Sequence, residues 1–197
     1  MMRDEGELIR AAADGDDEAV NELVRRKREQ VVRVAYQVTG DWEDAVDVAQ
    51  GVFVRLWKGL RRYDPARRFD TWLYRITVNA AIDLVRARAR GPQPLPEELA
   101  ELAAPAAGPT AESALDLAEL RRAFARLSSR LAPKQRVAFV LREIEGLETG
   151  EVARIMDVAE STVRNHLLQA RRALRDGLER EYPGLVPRSH RGEDPES

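Results

Sequence analysis

Apolar residues recur at three- and four-residue intervals along almost the whole chain, and strict apolar–polar alternation is absent. That pattern predicts helices and no strands. Over Glu18–Val38, the residues Val20, Leu23, Val24, Val31, Val34 and Ala35 fall along one side, and Gly40 ends the segment. Asp41 stands where an N-cap belongs. Glu43, Asp44 and Asp47 follow in the next turns, where carboxylates suit the positive helix end. The next helix carries Ala45, Val48, Ala49, Val52, Phe53, Leu56 and Leu60. Gly51 lies in its middle, at a cost of about 1 kcal/mol relative to alanine. Asp64-Pro65 breaks that helix. A third helix begins near Asp70 or Thr71, turns Leu73, Ile76, Ala80 and Leu84 inward, and ends in Arg86, Arg88 and Arg90. These elements make a first bundle over residues 1–90.

A second bundle is expected over residues 115–182. Leu117, Leu120, Phe124, Leu127 and Leu131 form one stripe. Pro133 suits the first turn of a helix whose stripe is Val137, Val140, Leu141 and Ile144, closed by Gly146. A short helix, Gly150–Met156, then a tight turn, then a long helix from Ser161 to about Tyr182 complete it. The last helix points Val163, Leu167, Ala170, Leu174 and Leu178 inward. Between the bundles, residues 91–114 hold five of the ten prolines and no basic residue. Such a segment buries too little to offset its ordering entropy and reads as a flexible linker, with room for a short helix at Pro96–Leu102. Residues 183–197 read as a disordered tail. The expected fold class is all-α: two small helical domains joined by a flexible linker.

Composition narrows the function. Among 197 residues, 32 are Lys or Arg, 34 are Asp or Glu, and none is Cys. Disulfide frameworks, iron–sulfur clusters and cysteine-based zinc sites are excluded. No apolar run approaches the ~20 residues of a membrane span. Met1–Asp17 is too acidic for a secretory signal, so a cytoplasmic location is expected. The histidines are His166 and His190, and no metal-binding, phosphate-loop or nucleophile motif stands in the chain. The expectation is therefore no enzyme, no cofactor and no metal. Charge is segregated: residues 61–90 carry eight basic side chains against three acidic, whereas 91–120 carry six acidic and no basic. Basic blocks around an acidic spacer suit two contacts with a polyanion; solvated helix faces are the plainer alternative.

Three constellations carry candidate chemistry. Residues 149–176 have the spacing of a helix-turn-helix. The inward stripe of its second helix leaves Arg164, Asn165, Leu168, Gln169, Arg171, Arg172 and Arg175 outward. Arg suits guanine, Asn and Gln suit adenine, and an apolar group suits the thymine methyl. A merely solvated arginine-rich face is the rival. Residues 61–90 interleave arginines with Tyr63, Phe69, Trp72 and Tyr74, as unpaired bases would need for stacking and charge. Arg75 and Asn79 add polar groups that an extruded base could meet, while Phe69 and Trp72 also suit a core. In the third, Asp44, Asp47 and Gln50 border an apolar strip that includes Val54 and Trp57. Apolar character on more than one helix face suits a protein partner, or else Trp57 packs within the bundle.

These residues resemble a known family. DAVDVAQGVFVRLWKGLRRYDPARRFDTWLYRITVNAAIDLVRARAR (44–90) is similar to region 2 of the extracytoplasmic-function (group 4) sigma factors of bacterial RNA polymerase. LAPKQRVAFVLREIEGLETGEVARIMDVAESTVRNHLLQARRAL (131–174) is similar to their region 4. The resemblance implies that Asp44, Asp47, Gln50, Phe53, Leu56 and Trp57 bind core polymerase at the clamp helices of its largest subunit, with the flap as a second contact. It implies that Arg68, Trp72, Tyr74, Arg75, Asn79, Arg86, Arg88 and Arg90 recognise and open the −10 element. It assigns Thr162, Arg164, Asn165, His166, Leu168, Gln169, Arg171 and Arg172 to the −35 duplex. The acidic linker would thread toward the active-site cleft, and an anti-sigma factor is a further partner the family allows. The linker's roughly 80 Å reach spans about two duplex turns. The chain departs from the family at Gly51, where glutamate is usual, at Asp157 in place of the turn glycine, and at Ala159 in place of the helix-capping serine, so Glu160 or Ser161 should start the helix. His166 and Gln169 stand where basic residues are common. Two rivals remain at this level: a stand-alone helix-turn-helix regulator with a sensing or dimerisation domain, and an adaptor that binds only protein.

Overall fold

Aspartates start the first three helices. The Asp16 carboxylate accepts from the Glu18 and Ala19 N–H groups, both at 3.0 Å, and Asp41 accepts from Asp44 N–H at 2.9 Å. Each satisfies donors the helix itself cannot. Gly40, at φ 78°, closes the helix between them and donates its N–H to the Tyr36 carbonyl. The computed structural model describes residues 4–64, 68–90 and 123–181. The linker at 91–114 with its expected Pro96–Leu102 helix, Leu117 and Leu120, Pro65, Tyr182 and the 183–197 tail with His190 lie outside the described residues.

The described elements are α1 (Glu5–Ala13), α2 (Asp17–Thr39), α3 (Trp42–Leu60), α4 (Phe69–Arg90), α5 (123–129), α6 (Pro133–Phe139), a π-helical turn (Val140–Ile144), α7 (Thr149–Met156) and α8 (Glu160–Glu181). All regular structure among the described residues is helical, as the periodicity predicts. Helix α1 is additional to the sequence reading. It is short and buries Leu8, Ile9 and Ala12.

In the first bundle, Leu23, Val31, Val34, Val52, Leu56, Leu60, Leu73 and Val78 are fully enclosed. Lys27 ties three helices together. Its ammonium lies 2.9 Å from Glu5 on α1 and 2.8 Å from Asp70 on α4. Burial alone pushes it down, but the two carboxylates outweigh burial and hold it above its ordinary value. Losing one partner would leave a buried charge half compensated. Phe69, Tyr63 and Trp72 form a triangle with ring centroids 5.2–5.9 Å apart. This triangle anchors the start of α4 against α3.

The two bundles are not separate cores. One continuous cluster of buried side chains runs from Leu8 through α2, α3 and α4 into Val137, Leu141, Val152, Ile155 and Val163. Helix α4 is therefore buried on two sides, which explains why Tyr74, Thr77, Ala81 and Ile82 are enclosed alongside the expected Leu73 and Ala80. A smaller cluster joins Leu127, Leu131, Ala170 and Leu174, with Phe124, Phe139 and Leu178 against it.

The π turn corrects one expectation. Ile144 was expected inward with Val137, Val140 and Leu141, but it is 40% exposed. A π turn takes more residues per revolution than an α turn. Side chains after Leu141 are thus rotated out of the stripe. Glu145 N–H donates to the Val140 carbonyl at 2.9 Å, and Gly146 at φ 71° then redirects the chain.

Candidate nucleic-acid interface

The helix-turn-helix is built by α7, its turn and α8. Asp157 adopts left-handed geometry at φ 56° and ψ 51°, where the sequence departs from glycine. Aspartate tolerates that region better than most residues. Val158 N–H donates back to the Ala153 carbonyl at 3.1 Å, sealing the turn. Helix α8 starts at Glu160, and the Ala159 carbonyl accepts its first helical bonds from Thr162 and Val163. Gly150 lies where α7 meets α8, and a Cβ there would stand 3.2 Å from the mobile end of the exposed Glu160 side chain.

Val163, Leu167, Ala170 and Leu174 fix α8 by their burial. On the opposite side Arg164, Asn165, Leu168, Gln169 and Arg172 are exposed, and Leu168 is 67% exposed. An apolar side chain left that open beside Arg164 and Asn165 matches a base-reading face. The later residues have partners within the chain. Gln169 accepts from Gln135 at 2.6 Å, and Arg171 pairs with Glu143 of the π turn at 2.6 Å. Thr162 is half-buried, as is His166. Burial, then the neighbouring Lys134 charge, lowers the His166 imidazolium below its usual range. At neutral pH this side chain is therefore uncharged, unlike the basic residues common at that position.

Helix α4 carries the second group. Asn79, Arg86, Arg88 and Arg90 are exposed, and Arg68 precedes the helix. Asn79 and Arg86 line a cleft with Asp83, Lys134 and Met156. Two of the eight residues assigned to −10 DNA are placed otherwise. Trp72 is committed to the aromatic triangle and its ring lies against Gly59, where a Cβ would stand 2.9 Å from it. Tyr74 is buried and donates its hydroxyl to Glu145 at 2.9 Å. Burial, with Glu145 beside it, pushes the phenol up to about 12. Tyr74 holds structure, because an enclosed ring cannot also stack on bases; Trp72 is half-buried, with one part of its ring given to Tyr63, Phe69 and Gly59.

The outward strip of α3 is the third surface. Asp47, Gln50, Val54 and Trp57 follow one another at helical spacing, and Val54 and Trp57 are 50% and 57% exposed. Trp57 is therefore not a bundle residue. Phe53 lies half-buried behind the strip. Leu56 is fully enclosed, so it packs the bundle and offers nothing to a partner. Asp44 is likewise buried and bridged to Arg88 of α4. Burial raises its carboxyl above the ordinary range, against the lowering by Arg88.

Sequence reasoning missed Arg33, Arg136 and Glu145. Arg33 donates to Glu145 at 2.9 and 3.0 Å. Arg136 is 4% exposed, and its guanidinium donates to the Val38 carbonyl at 2.6 Å and to Ser129. Nothing in the local pattern distinguishes these residues from solvated helix charges, because the Arg33–Glu145 and Arg136–Val38 pairs each join positions about a hundred residues apart in sequence.

An exposed polar helix face set behind a left-handed turn, beside an arginine-rich helix, has the architecture of a helix-turn-helix. The matches to known proteins make the class specific. Family models match as Sigma-70 region 2 over residues 23–91 and Sigma-70 region 4 over residues 121–174. The chain belongs to the extracytoplasmic-function sigma factors, members of the sigma-70 family of RNA polymerase sigma factors. It is 36% identical over 170 residues to the ECF RNA polymerase sigma factor SigE of Mycolicibacterium smegmatis, covering 84% of this chain but 65% of that one. It is 35% identical to SigM of Mycobacterium tuberculosis, over 87% of this chain and 83% of the relative. The ECF sigma-E factor of Escherichia coli is 32% identical, over 85% and 90%. Among solved structures, CnrH in complex with the cytosolic domain of CnrY matches with a TM-score of 0.66 and 26% identity, over 90% of this chain and 98% of that one. No helix among the described residues is long and apolar enough to cross a membrane.

Proposed function

We propose that this sigma factor joins core RNA polymerase through α3 and places α4 on the opened −10 element and α8 on the −35 duplex. The exposed face of α8 carries the reading. Arg164 and Asn165 are of the types that donate to guanine and adenine edges, and Leu168 supplies an apolar contact for a thymine methyl. Arg172, a turn beyond, would sit nearer the phosphates. On α4, Asn79 offers an amide to an extruded base, and Arg86 and Arg90 offer charge to the backbone beside it. The Asp47–Trp57 strip combines acid and unburied aromatic surface, which suits a basic, partly apolar polymerase helix pair. The first bundle (1–90) thus binds polymerase and melts DNA, the second (115–182) reads duplex, and residues 91–114 tether them. Two weak DNA contacts joined in this way bind as one by effective concentration.

The chain contributes binding and strand opening, with no bond made or broken by its own side chains. Its partners in this reading are the polymerase core, promoter DNA and an anti-sigma factor that covers the Trp57 strip, and its place of work is the cytoplasm. Run-off transcription with purified core polymerase on a genomic promoter library tests it. Discrete start sites that depend on the chain are expected. A chain that binds polymerase without directing any start site would favour an adaptor that binds only protein, and one that gives tight specific footprints alone would favour a stand-alone regulator.

A further inference from the structure

Three side-chain amides form a relay that ends on the outward face of α8. It begins at a donor that cannot turn round. The Ala132 backbone N–H, at the start of α6, donates to Gln135 Oε1 at 3.3 Å, the Gln135 half of a capping box. The Gln135 amide is therefore set with its NH2 directed away from the helix start. That NH2 donates to Gln169 Oε1 on α8 at 2.6 Å. Gln169 in turn donates its own NH2 to Asn165 Oδ1, one helical turn back, at 3.4 Å. Each amide has one acceptor oxygen and one donor NH2, so fixing the first fixes the other two. Asn165 is exposed, its oxygen is taken, and its NH2 is left for a guest. Turning Asn165 round would set its NH2 against that of Gln169, two donors facing each other. Such an opposition is worst once a duplex covers the face and removes the water that could relieve it.

We propose that Gln135, which lies on α6 and outside the helix that meets DNA, is a positioning residue for −35 specificity: by way of Gln169 it makes Asn165 a donor, so that Asn165 reads guanine. An unconstrained asparagine amide pairs with adenine, donating to N7 and accepting from N6. With Oδ1 committed to Gln169, the second of those bonds is lost and the adenine amino group meets no acceptor. Guanine offers two acceptors, N7 and O6, and no donor along that edge. The relay thus turns the usual asparagine preference away from adenine. Gln135 touches no base in this scheme and acts only through the orientation of its neighbours. The inference rests on the assignment of α8 to the −35 duplex, and its test keeps the two apart.

The experiment uses the full chain with core polymerase and a promoter duplex library randomised over the −35 element. Asn165→Ala identifies the base pair that Asn165 reads, as the position whose preference disappears. In the parent chain guanine should exceed adenine there by about tenfold, the ordinary scale of one base contact. Gln135→Ala should bring that ratio near parity, because Asn165 is then free to turn. Gln135→Glu should reverse it. A carboxylate still accepts from the Ala132 N–H, and glutamate is a usual capping-box residue, so α6 keeps its start. The carboxylate has no NH2, so Gln169 must donate to it and Asn165 must donate to Gln169. Asn165 Oδ1 then faces the groove, and the preference should pass to adenine or cytosine, the bases with amino donors there. Loosened packing of α6 would weaken all sequences alike and would not exchange one base for another. A guanine preference that survives Gln135→Glu, or an adenine preference in the parent, overturns the relay. So does an NMR spectrum of the nitrogen-labelled free chain in which Gln135→Ala leaves the Gln169 and Asn165 side-chain amide signals unmoved. An Asn165→Ala chain that keeps every preference removes Asn165 from base reading, and the relay's role with it. A parent that selects no −35 sequence at all overturns the assignment of α8 instead, and leaves the NMR result standing.

Discussion

Two glycines of α3 show how one residue type takes opposite roles by position. Gly51 lies on the outward strip, and a Cβ there meets nothing within 4 Å. Gly51→Ala should stabilise the chain by about 1 kcal/mol through helix propensity alone. Gly59 faces α4, where a Cβ would come within 2.9 Å of the Trp72 ring. That ring is held by Tyr63 and Phe69 and cannot step aside freely. Overpacking of about 1–3 kcal/mol outweighs the propensity gain, so Gly59→Ala should be a net loss. Urea denaturation of both variants checks the pair, and equal effects would remove the packing argument. At this scale the sequence was legible for caps and stops: Asp41, Gly40 and Pro133 stand where the pattern puts them. It was silent on which glycine touches a ring, because that is a tertiary fact.

Helix α8 is the element whose outward face was easiest to read ahead of the structure. A fixed inward stripe leaves the outward residues determined by the helical period. Within that face the structure separates residues by what already holds them. Among the described residues Arg164 pairs with Glu160, one turn away at 3.3 Å, and can leave it at little cost. Arg171 is anchored to Glu143 across to the π turn. Arg164→Ala should therefore cost about 1–3 kcal/mol at one −35 base pair, with relaxed preference there. Competition binding against single-base operator variants measures it, and a loss uniform over all sequences would reassign Arg164 to phosphate. Helix α4 was harder to read. Its expected inward stripe was right for Leu73 and Ala80, yet Tyr74 was assigned to DNA and is enclosed. A helix buried on two sides has no single stripe, and the second side is set by residues more than fifty positions later.

For the molecule as a whole, the all-helical class and the order of the two modules were legible from periodicity and from the proline-rich spacer. Their shared core was not, since each bundle's pattern is satisfied on its own. That core has a thermodynamic corollary. With Val137, Leu141 and Val152 in the same cluster as Leu23 and Leu73, the modules should unfold together. Trp42, Trp57 and Trp72 all belong to the first module, so tryptophan fluorescence reports on it, while far-ultraviolet dichroism reports on both. Coincident thermal midpoints are expected for the two signals. A separate, earlier loss of dichroism would mean independent domains.

The bridge between Asp44 and Arg88 joins the helix that would meet polymerase to the helix end that would meet DNA. Freeing Arg88 for a phosphate leaves the buried Asp44 carboxylate on α3 without its counter-charge, and a partner that shifts α3 enough to part the pair liberates Arg88. By reciprocity, whichever guest arrives first changes the welcome given to the second by an equal free energy. A sigma factor wired in this way would hold its polymerase more firmly at a promoter than in free solution, and would loosen that hold once the upstream DNA is left behind.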